Sequence, residues 1–398
     1  MLADHYYSAH DATPSWQCKK YKALANTRKE NPDDTVRVPH QNLDEHCVGV
    51  AHHAYVIAKS LPQLPDLLPA VSDVRALKKN APKRFQWQNK AYGLAVQMRD
   101  KSAKQGGFIV NMASTGTGKT IANARLAYGL SNARKGCRFS VLLGLRTLTL
   151  QTGDALRERI GFDAAELAVL IGSSAVKTLH EVQQDAQRSS EAEQSGSESA
   201  EPYFAEHEYV VYDGELDQSR VGRWLRGQRD QKKGNVLHSV LSAPVLVSTI
   251  DRLIPATESA RGGHQITPML RLLSADTVFD EPDDFGLADL PALCRLVHWA
   301  GLLGSRVIFS SATLSPALLQ ALFAAYASGR REYNLATIGT ATPINCGWVD
   351  EFSTQHALVD EPSQFVAKHS SFVQQRLAKL AKDTAIRRWA EIVPISDL

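Results

Sequence analysis

The stretch Phe108-Ile-Val-Asn-Met-Ala113-Ser-Thr-Gly116-Thr-Gly118-Lys119-Thr120 decides the fold of this 398-residue chain. An apolar run, a glycine-rich turn and the helix-forming Ile121-Ala-Asn-Ala-Arg-Leu-Ala-Tyr-Gly-Leu130 follow one another. That is the strand, loop and helix order of a P-loop. In such a loop Gly116 and Gly118 let successive N–H groups curl toward phosphate oxygens. The first helical turn adds its positive dipole end. Lys119 supplies a charge for the β- and γ-phosphates, and the Thr120 hydroxyl is placed to ligate Mg2+. The expected cofactor contacts are therefore Ser114, Thr115, Gly116, Thr117, Gly118, Lys119 and Thr120. Position one is Ala113, where the general pattern has glycine.

A nucleotide site needs a second half: an aspartate ending a later buried strand, ideally beside a glutamate. Asp276-Thr-Val-Phe-Asp280-Glu281-Pro-Asp283 supplies it, with Asp280 holding the metal and Glu281 as general base. Alone, this run reads as a solvated acidic turn; paired with the P-loop it does not. Upstream, Arg84-Phe-Gln-Trp-Gln88 offers an aromatic to stack on adenine and a glutamine amide to read its edge. Three further polar clusters each close a strand-like run. Leu145-Arg146-Thr147 follows Phe139–Leu143, Ser248-Thr249 follows Pro244–Val247, and Ser311-Ala-Thr313 follows Arg306–Ser310. Doubly wound sheets bind ligands at those carboxyl ends.

This ordered set resembles the motor core of superfamily 2 helicases, with motifs I, Ia, Ib, II and III and a Q-type motif. The resemblance implies ATP turnover by Lys119, Asp280 and Glu281, with Gln88 reading adenine. It implies that Arg146, Thr147 and Thr249 grip one nucleic-acid strand by its phosphates, and that Ser311 and Thr313 couple the two events. An alanine at the head of motif I, as at Ala113, is common there. The flanking words Leu2-Ala-Asp4-His5-Tyr-Tyr-Ser8, Arg84–Gln88, Asp280-Glu-Pro-Asp-Asp-Phe-Gly286 and Ser310-Ser-Ala-Thr-Leu314 resemble the CRISPR-associated helicase–nuclease of type I systems, subtype I-F. That family joins a metal-dependent histidine–aspartate (HD) nuclease to the motor. The resemblance implies a 3′-to-5′ translocase acting on single-stranded DNA, recruited by the CRISPR surveillance complex. It also implies a divalent transition metal for the nuclease, with Asp4 as one ligand.

The resemblance covers most of this chain but only part of the family's length. Superfamily 2 motors place ATP between two RecA-like domains, the second contributing arginines. After Thr313 only about 85 residues remain, too few for a second α/β domain of ordinary size. Gly329-Arg330-Arg331 follows Thr313 too closely to be that arginine motif. Residues Gln364–Leu380 read as an amphipathic helix with a solvated basic face. Near the N-terminus His46, His52 and His53 lie on a helical pattern, and His46 and His53 are spaced to share a face. No His-Asp doublet precedes them, so nuclease activity is not expected.

The fold expected is α/β: a RecA-like P-loop domain with a parallel sheet flanked by helices, preceded by a helical remnant of an HD domain. Residues 1–80 would be that remnant plus a proline-marked break at Ser60–Pro69. Residues 81–325 would be the motor domain, with a mobile acidic insertion at about 186–204, and 326–398 a helical extension toward a missing second domain. Forty-five basic against 42 acidic residues give a net charge of +3, so any DNA contact must be local. The segment 220–233, with Trp224 among arginines and lysines, is the best such candidate. Five scattered cysteines fit a reducing cytoplasm, and no apolar stretch suggests a membrane partner. Two other functions stay open: a module that binds nucleotide and DNA without efficient hydrolysis, and a superfamily 2 RNA helicase outside CRISPR.

Overall fold

The computed structural model describes residues 2–30, 35–132, 134–171, 209–211, 239–258, 262–285 and 289–382. The acidic stretch at about 186–204 and the basic stretch 220–233 lie outside them. The N-terminal part comprises α1 (Leu2–Ser8), strands β1 (Leu24–Arg28) and β2 (Val38–Asn42), and α2 (Leu43–Ser60). A purely helical region was expected here, yet β1 and β2 pair antiparallel. Their polar sequences lack apolar alternation. Instead the buried Asn26 and Gln41 hold the pair: Asn26 Nδ2 donates to Gln41 Oε1 (2.9 Å), and the Gln41 N–H donates to Asn26 Oδ1 (3.1 Å).

Two single turns follow, α3 (Leu64–Leu67) and α4 (Arg75–Lys78). Within the proline-marked stretch Leu64 and Leu68 are buried against Leu241, Ile266 and Leu270.

The larger part runs through α5 (Trp87–Gln105), β3 (Gly107–Asn111), α6 (Lys119–Leu130), β4 (Phe139–Leu143) and α7 (Arg146–Ile160). Strands β5 (Leu167–Ile171), β6 (Tyr209–Val211) and β7 (Val245–Thr249) come next. Then come α8 (Pro255–Glu258), α9 (Gly262–Ser274), β8 (Asp276–Asp280), α10 (Leu290–Leu302) and β9 (Val307–Ser310). The last described elements are α11 (Pro316–Ile338), β10 (Ile344–Val349), β11 (Thr354–Val359) and α12 (Pro362–Leu380).

Among the described residues nine strands form one sheet in the order β11-β10-β3-β9-β8-β4-β7-β5-β6. From β10 through β5 every neighbour is parallel; only the edge strands β11 and β6 run antiparallel. Interior strands buried on both faces read as apolar runs, as Phe108-Ile-Val110 and Val245-Leu-Val247 do. Alternate side chains of β3 enter two cores. Ile109 packs with Met98, Leu126 and Leu156 from α5, α6 and α7. Phe108 and Val110 pack with Leu296, Phe323 and Phe365 from α10, α11 and α12. The result is a three-layer α/β fold of RecA-like type.

Helix α11 starts with Ser315 as N-cap, whose Oγ accepts from the Leu318 N–H (3.2 Å), and with Pro316 in its first turn. It crosses α10 at Gly329, where a Cβ would stand 2.0 Å from the His298 carbonyl oxygen. The neighbouring Arg330 is fully buried and donates to the carbonyls of Gly304, Ala103 and Lys104. Gly329-Arg330 is thus a helix-crossing and core element.

The segment 326–398 differs from the helical extension expected of it. Strand β10 lies inside that segment and pairs in parallel with β3, and β11 adds the edge. Its sequence Ile344-Asn-Cys-Gly-Trp-Val349 hides the strand with polar and small residues that have partners of their own. Asn345 Nδ2 donates to Gln105 Oε1 (2.9 Å), and Gly347 leaves room for Met98.

Candidate active site

Strand β3 ends at Asn111 and the chain curls into the P-loop before α6 begins at Lys119. Gly116 and Gly118 have φ of +78° and +86°, in the left-handed region that favours glycine. At Gly118 a Cβ would also meet Gln88 Nε2 at 2.7 Å. The upstream Q-type segment therefore touches the loop directly. Gln88 Nε2 donates to the Gly118 carbonyl (3.1 Å), and Trp87 Nε1 donates to that of Thr117 (3.0 Å). Within the loop the Thr117 hydroxyl donates to the Ser114 carbonyl (2.5 Å).

The two halves of the site meet. Parallel pairing of β3 with β9 and of β9 with β8 brings Asp280 and Glu281 to the carboxyl edge beside the loop. Lys119 Nζ lies 2.5 Å from Glu281 Oε1, although 162 residues separate them. Glu281 has φ +49° and ψ +55°, a left-handed conformation that costs a non-glycine residue about 1 kcal/mol. Its N–H is anchored on the Ser310 carbonyl (2.7 Å). Asp280 is buried and accepts from Asn123 Nδ2 (3.2 Å), while Asn123 Oδ1 accepts from Asn111 (2.8 Å). Burial, aided by the Glu281 charge, pushes the Asp280 carboxyl up to about 6, against the pull of Ser310, Lys119 and Asn123.

Such a buried carboxylate suits a hard cation. With the Thr120 hydroxyl at the first turn of α6 it supplies the oxygen donors that Mg2+ prefers. Ser311 and Thr313 sit beside the same edge. The Ser311 N–H donates to the Asn111 carbonyl (3.1 Å), and Thr313 bonds to the carboxylate of Asp283 through its hydroxyl. The segment after β9 is thereby tied both to the P-loop strand and to the acidic turn.

Of the nucleic-acid candidates, Arg146 and Thr147 open α7 and Thr249 ends β7. Thr147 is exposed, whereas Thr249 is buried. Asp4 lies elsewhere, on α1, with its Oδ1 2.9 Å from His46 Nε2. That hydrogen bond holds the Asp4 carboxyl below the usual carboxylate range. His46 Nδ1 lies 3.0 Å from Gln41 Oε1, and the nearby buried Glu45 accepts from Tyr7, Gln17 and the Thr13 N–H. Among the described residues no group of three or more His, Cys, Asp or Glu side chains is arranged to hold a metal ion. In this structure Asp4 thus stands beside His46 as a carboxylate–imidazole pair.

The sequence reading missed three participants. Asn123 looked like an ordinary helix residue. Glu351 follows the unread strand β10, and Arg376 lies on the helix face taken as solvated. Glu351 accepts from the Ser114 hydroxyl (2.6 Å) and from Arg376 Nη1 (2.5 Å), and Arg376 Nη2 donates to Ser114 Oγ (2.9 Å).

No family model matches the chain. Two curated relatives do. It is 54% identical over 400 residues to the CRISPR-associated nuclease/helicase Cas3 subtype I-F/YPEST of Pectobacterium atrosepticum, covering 100% of this chain and 35% of that protein. It is 45% identical over 398 residues to the protein of the same description from Pseudomonas aeruginosa, covering 99% and 35%. The crystal structure of T. fusca Cas3 with ATP overlaps with a TM-score of 0.40 at 18% identity, over 73% of this chain and 28% of that one. Among the described residues no helix is long and apolar enough to cross a membrane. Along practically its full length the chain thus aligns with about a third of these two subtype I-F Cas3 nuclease/helicases, and its own P-loop lies within the aligned stretch.

Proposed function

We propose that this chain is the P-loop half of an ATP-driven motor that moves along single-stranded DNA in CRISPR interference, alongside a surveillance complex. The observation that carries the proposal is the direct contact of Lys119 with Glu281, which joins motif I to motif II at one sheet edge. Support for the CRISPR setting comes from the names of the two relatives, of which the chain spans 35%. Bound Mg2+–ATP supplies the phosphoryl group whose transfer to water drives the motor. Loop amides and Lys119 hold the triphosphate, Thr120 and Asp280 hold the cation, and Gln88 stands at the adenine side. Glu281, released from Lys119 when phosphate takes its place, accepts the proton of the attacking water. Ser311 and Thr313 relay the state of the acidic turn, and the strand's phosphates meet the start of α7 at Arg146 and Thr147 and the end of β7 at the buried Thr249.

A second reading concerns turnover by this chain alone. Efficient phosphoryl transfer needs a cation opposite the P-loop, and the buried Arg330 is committed to backbone carbonyls. We therefore propose nucleotide binding with little unaided hydrolysis. Phosphate release with and without a single-stranded oligonucleotide, in wild type and Glu281→Gln, separates the two. The second reading predicts a basal rate that DNA does not raise. A DNA-stimulated rate abolished by Glu281→Gln would favour a self-sufficient motor.

A further inference from the structure

The end of β10 stands beside the head of the P-loop, because Val349 is in register with Asn111 of β3. The next two residues are acidic. Asp350 is 1% exposed, and its Oδ1 accepts from the N–H groups of Phe352 (2.7 Å) and Ser353 (2.6 Å), shaping the turn into β11. Glu351 turns the other way. Its Oε2 accepts from the Ser114 N–H (3.3 Å) and from Arg376 Nη1, and its Oε1 accepts from the Ser114 hydroxyl. Arg376 comes from α12, is 5% exposed, and bridges Glu351 and Ser114 with two separate nitrogens. Asp350 Oδ2 lies 3.6 Å from the same guanidinium.

A buried carboxylate, a partly buried one and a buried guanidinium are a poor choice for stability alone, since apolar side chains of similar volume commonly do as well. What the cluster does provide is direction. It grips both the backbone N–H and the hydroxyl of the second P-loop residue, using a fork geometry that only arginine offers. It also places a carboxylate near a site expected to take a triphosphate, where an uncompensated negative charge would repel the ligand. The hydrogen bonds from Arg376 and Ser114 outweigh the effect of burial and hold the Glu351 carboxyl below the usual carboxylate range.

We propose that Glu351 and Arg376 are positioning residues of the nucleotide site: through Ser114 they fix the head of the P-loop in its phosphate-accepting curl, with Arg376 cancelling the Glu351 charge. This deepens the nucleotide-site assignment and rests on it. Helix α12 thereby becomes part of the site although it contributes no motif.

The test titrates a fluorescent ATP analogue with Mg2+ into wild type, Lys119→Ala, Arg376→Gln, Arg376→Lys, Ser114→Ala, the Ser114→Ala/Arg376→Gln double variant and the exposed-site control Lys368→Gln, with thermal unfolding of each. Arg376→Gln should raise Kd about tenfold, the scale of a charge-assisted hydrogen bond. Arg376→Lys keeps the charge but cannot span both partners, and should fall between. Lys368→Gln should match wild type. In the Ser114→Ala background the effect of Arg376→Gln should shrink to the part left by the uncancelled Glu351 charge, a coupling that a general packing role would not produce. A Kd for Arg376→Gln equal to the control, with Lys119→Ala still abolishing binding, would overturn the positioning role alone. So would an equally large effect in both backgrounds. Should Arg376→Gln fail to fold, a Kd for Arg376→Lys equal to wild type overturns it. Binding that survives Lys119→Ala would remove the nucleotide site and this proposal with it.

Discussion

Asp280 is a carboxylate held where its charge is disfavoured. Burial raises it from the ordinary 3.8 to about 6, so between those pH values the folded chain keeps a proton that the unfolded chain has lost. By linkage, stability falls as pH rises through that window, and above it the penalty is complete at about 3 kcal/mol. Asp280→Asn removes the charge and keeps the shape. Denaturant unfolding should therefore show a gain of about 2–3 kcal/mol at pH 8 and almost none at pH 4. The same variant should lose Mg2+-dependent nucleotide binding. No gain at pH 8 would mean that Lys119 and Asn123 already compensate the charge. The left-handed Glu281 next to it tells the same story, local discomfort retained at the residue that faces Lys119.

At the scale of elements, α12 carries the least visible contribution. His369 is 1% exposed, with both ring nitrogens lacking hydrogen-bond partners among the described residues, and it stacks on Phe365 at 6.0 Å. Burial lowers its pKa from 6.5 to about 4. The unfolded chain therefore binds more protons between those values, and this contribution is complete above pH 6.5 and lost as pH falls toward 4. Between pH 7.5 and pH 5 wild type should lose about 2 kcal/mol more than His369→Leu does, read as the difference between their urea unfolding curves. Parallel pH profiles for the two chains would contradict this.

The same helix shows what the sequence could and could not reveal. Its amphipathic period was legible over Gln364–Leu380, because local spacing is enough to find a helix. Arg376 on it was not, because its partner Ser114 lies 262 residues away and no local pattern encodes that meeting. Strand β10 escaped notice for a different reason: Asn345 and Gly347 are buried by specific neighbours and break the apolar run. By contrast the glycine-rich turn and Asp280-Glu281 were legible, since both close short, locally recognisable strands that the structure buries.

For the whole molecule, the three-layer sheet gathers those separate pieces on one edge, as parallel topology requires. The pairing order alone explains how Lys119 and Glu281 meet. Charge is spread differently, with a net of only +3 over 398 residues. Single-strand binding should accordingly use few phosphates, about three or four, giving a log–log salt slope of about −2 to −3 by fluorescence anisotropy. A slope steeper than about −5 would instead point to an extended basic groove.

We propose that Lys119 and the acidic end of β8 form one nucleotide half-site. Titration of a fluorescent ATP analogue with Mg2+ into wild type and Lys119→Ala tests it most directly. Saturable, Mg2+-dependent binding that is lost in Lys119→Ala is the result this structure predicts. Binding of equal strength in the two proteins would contradict it.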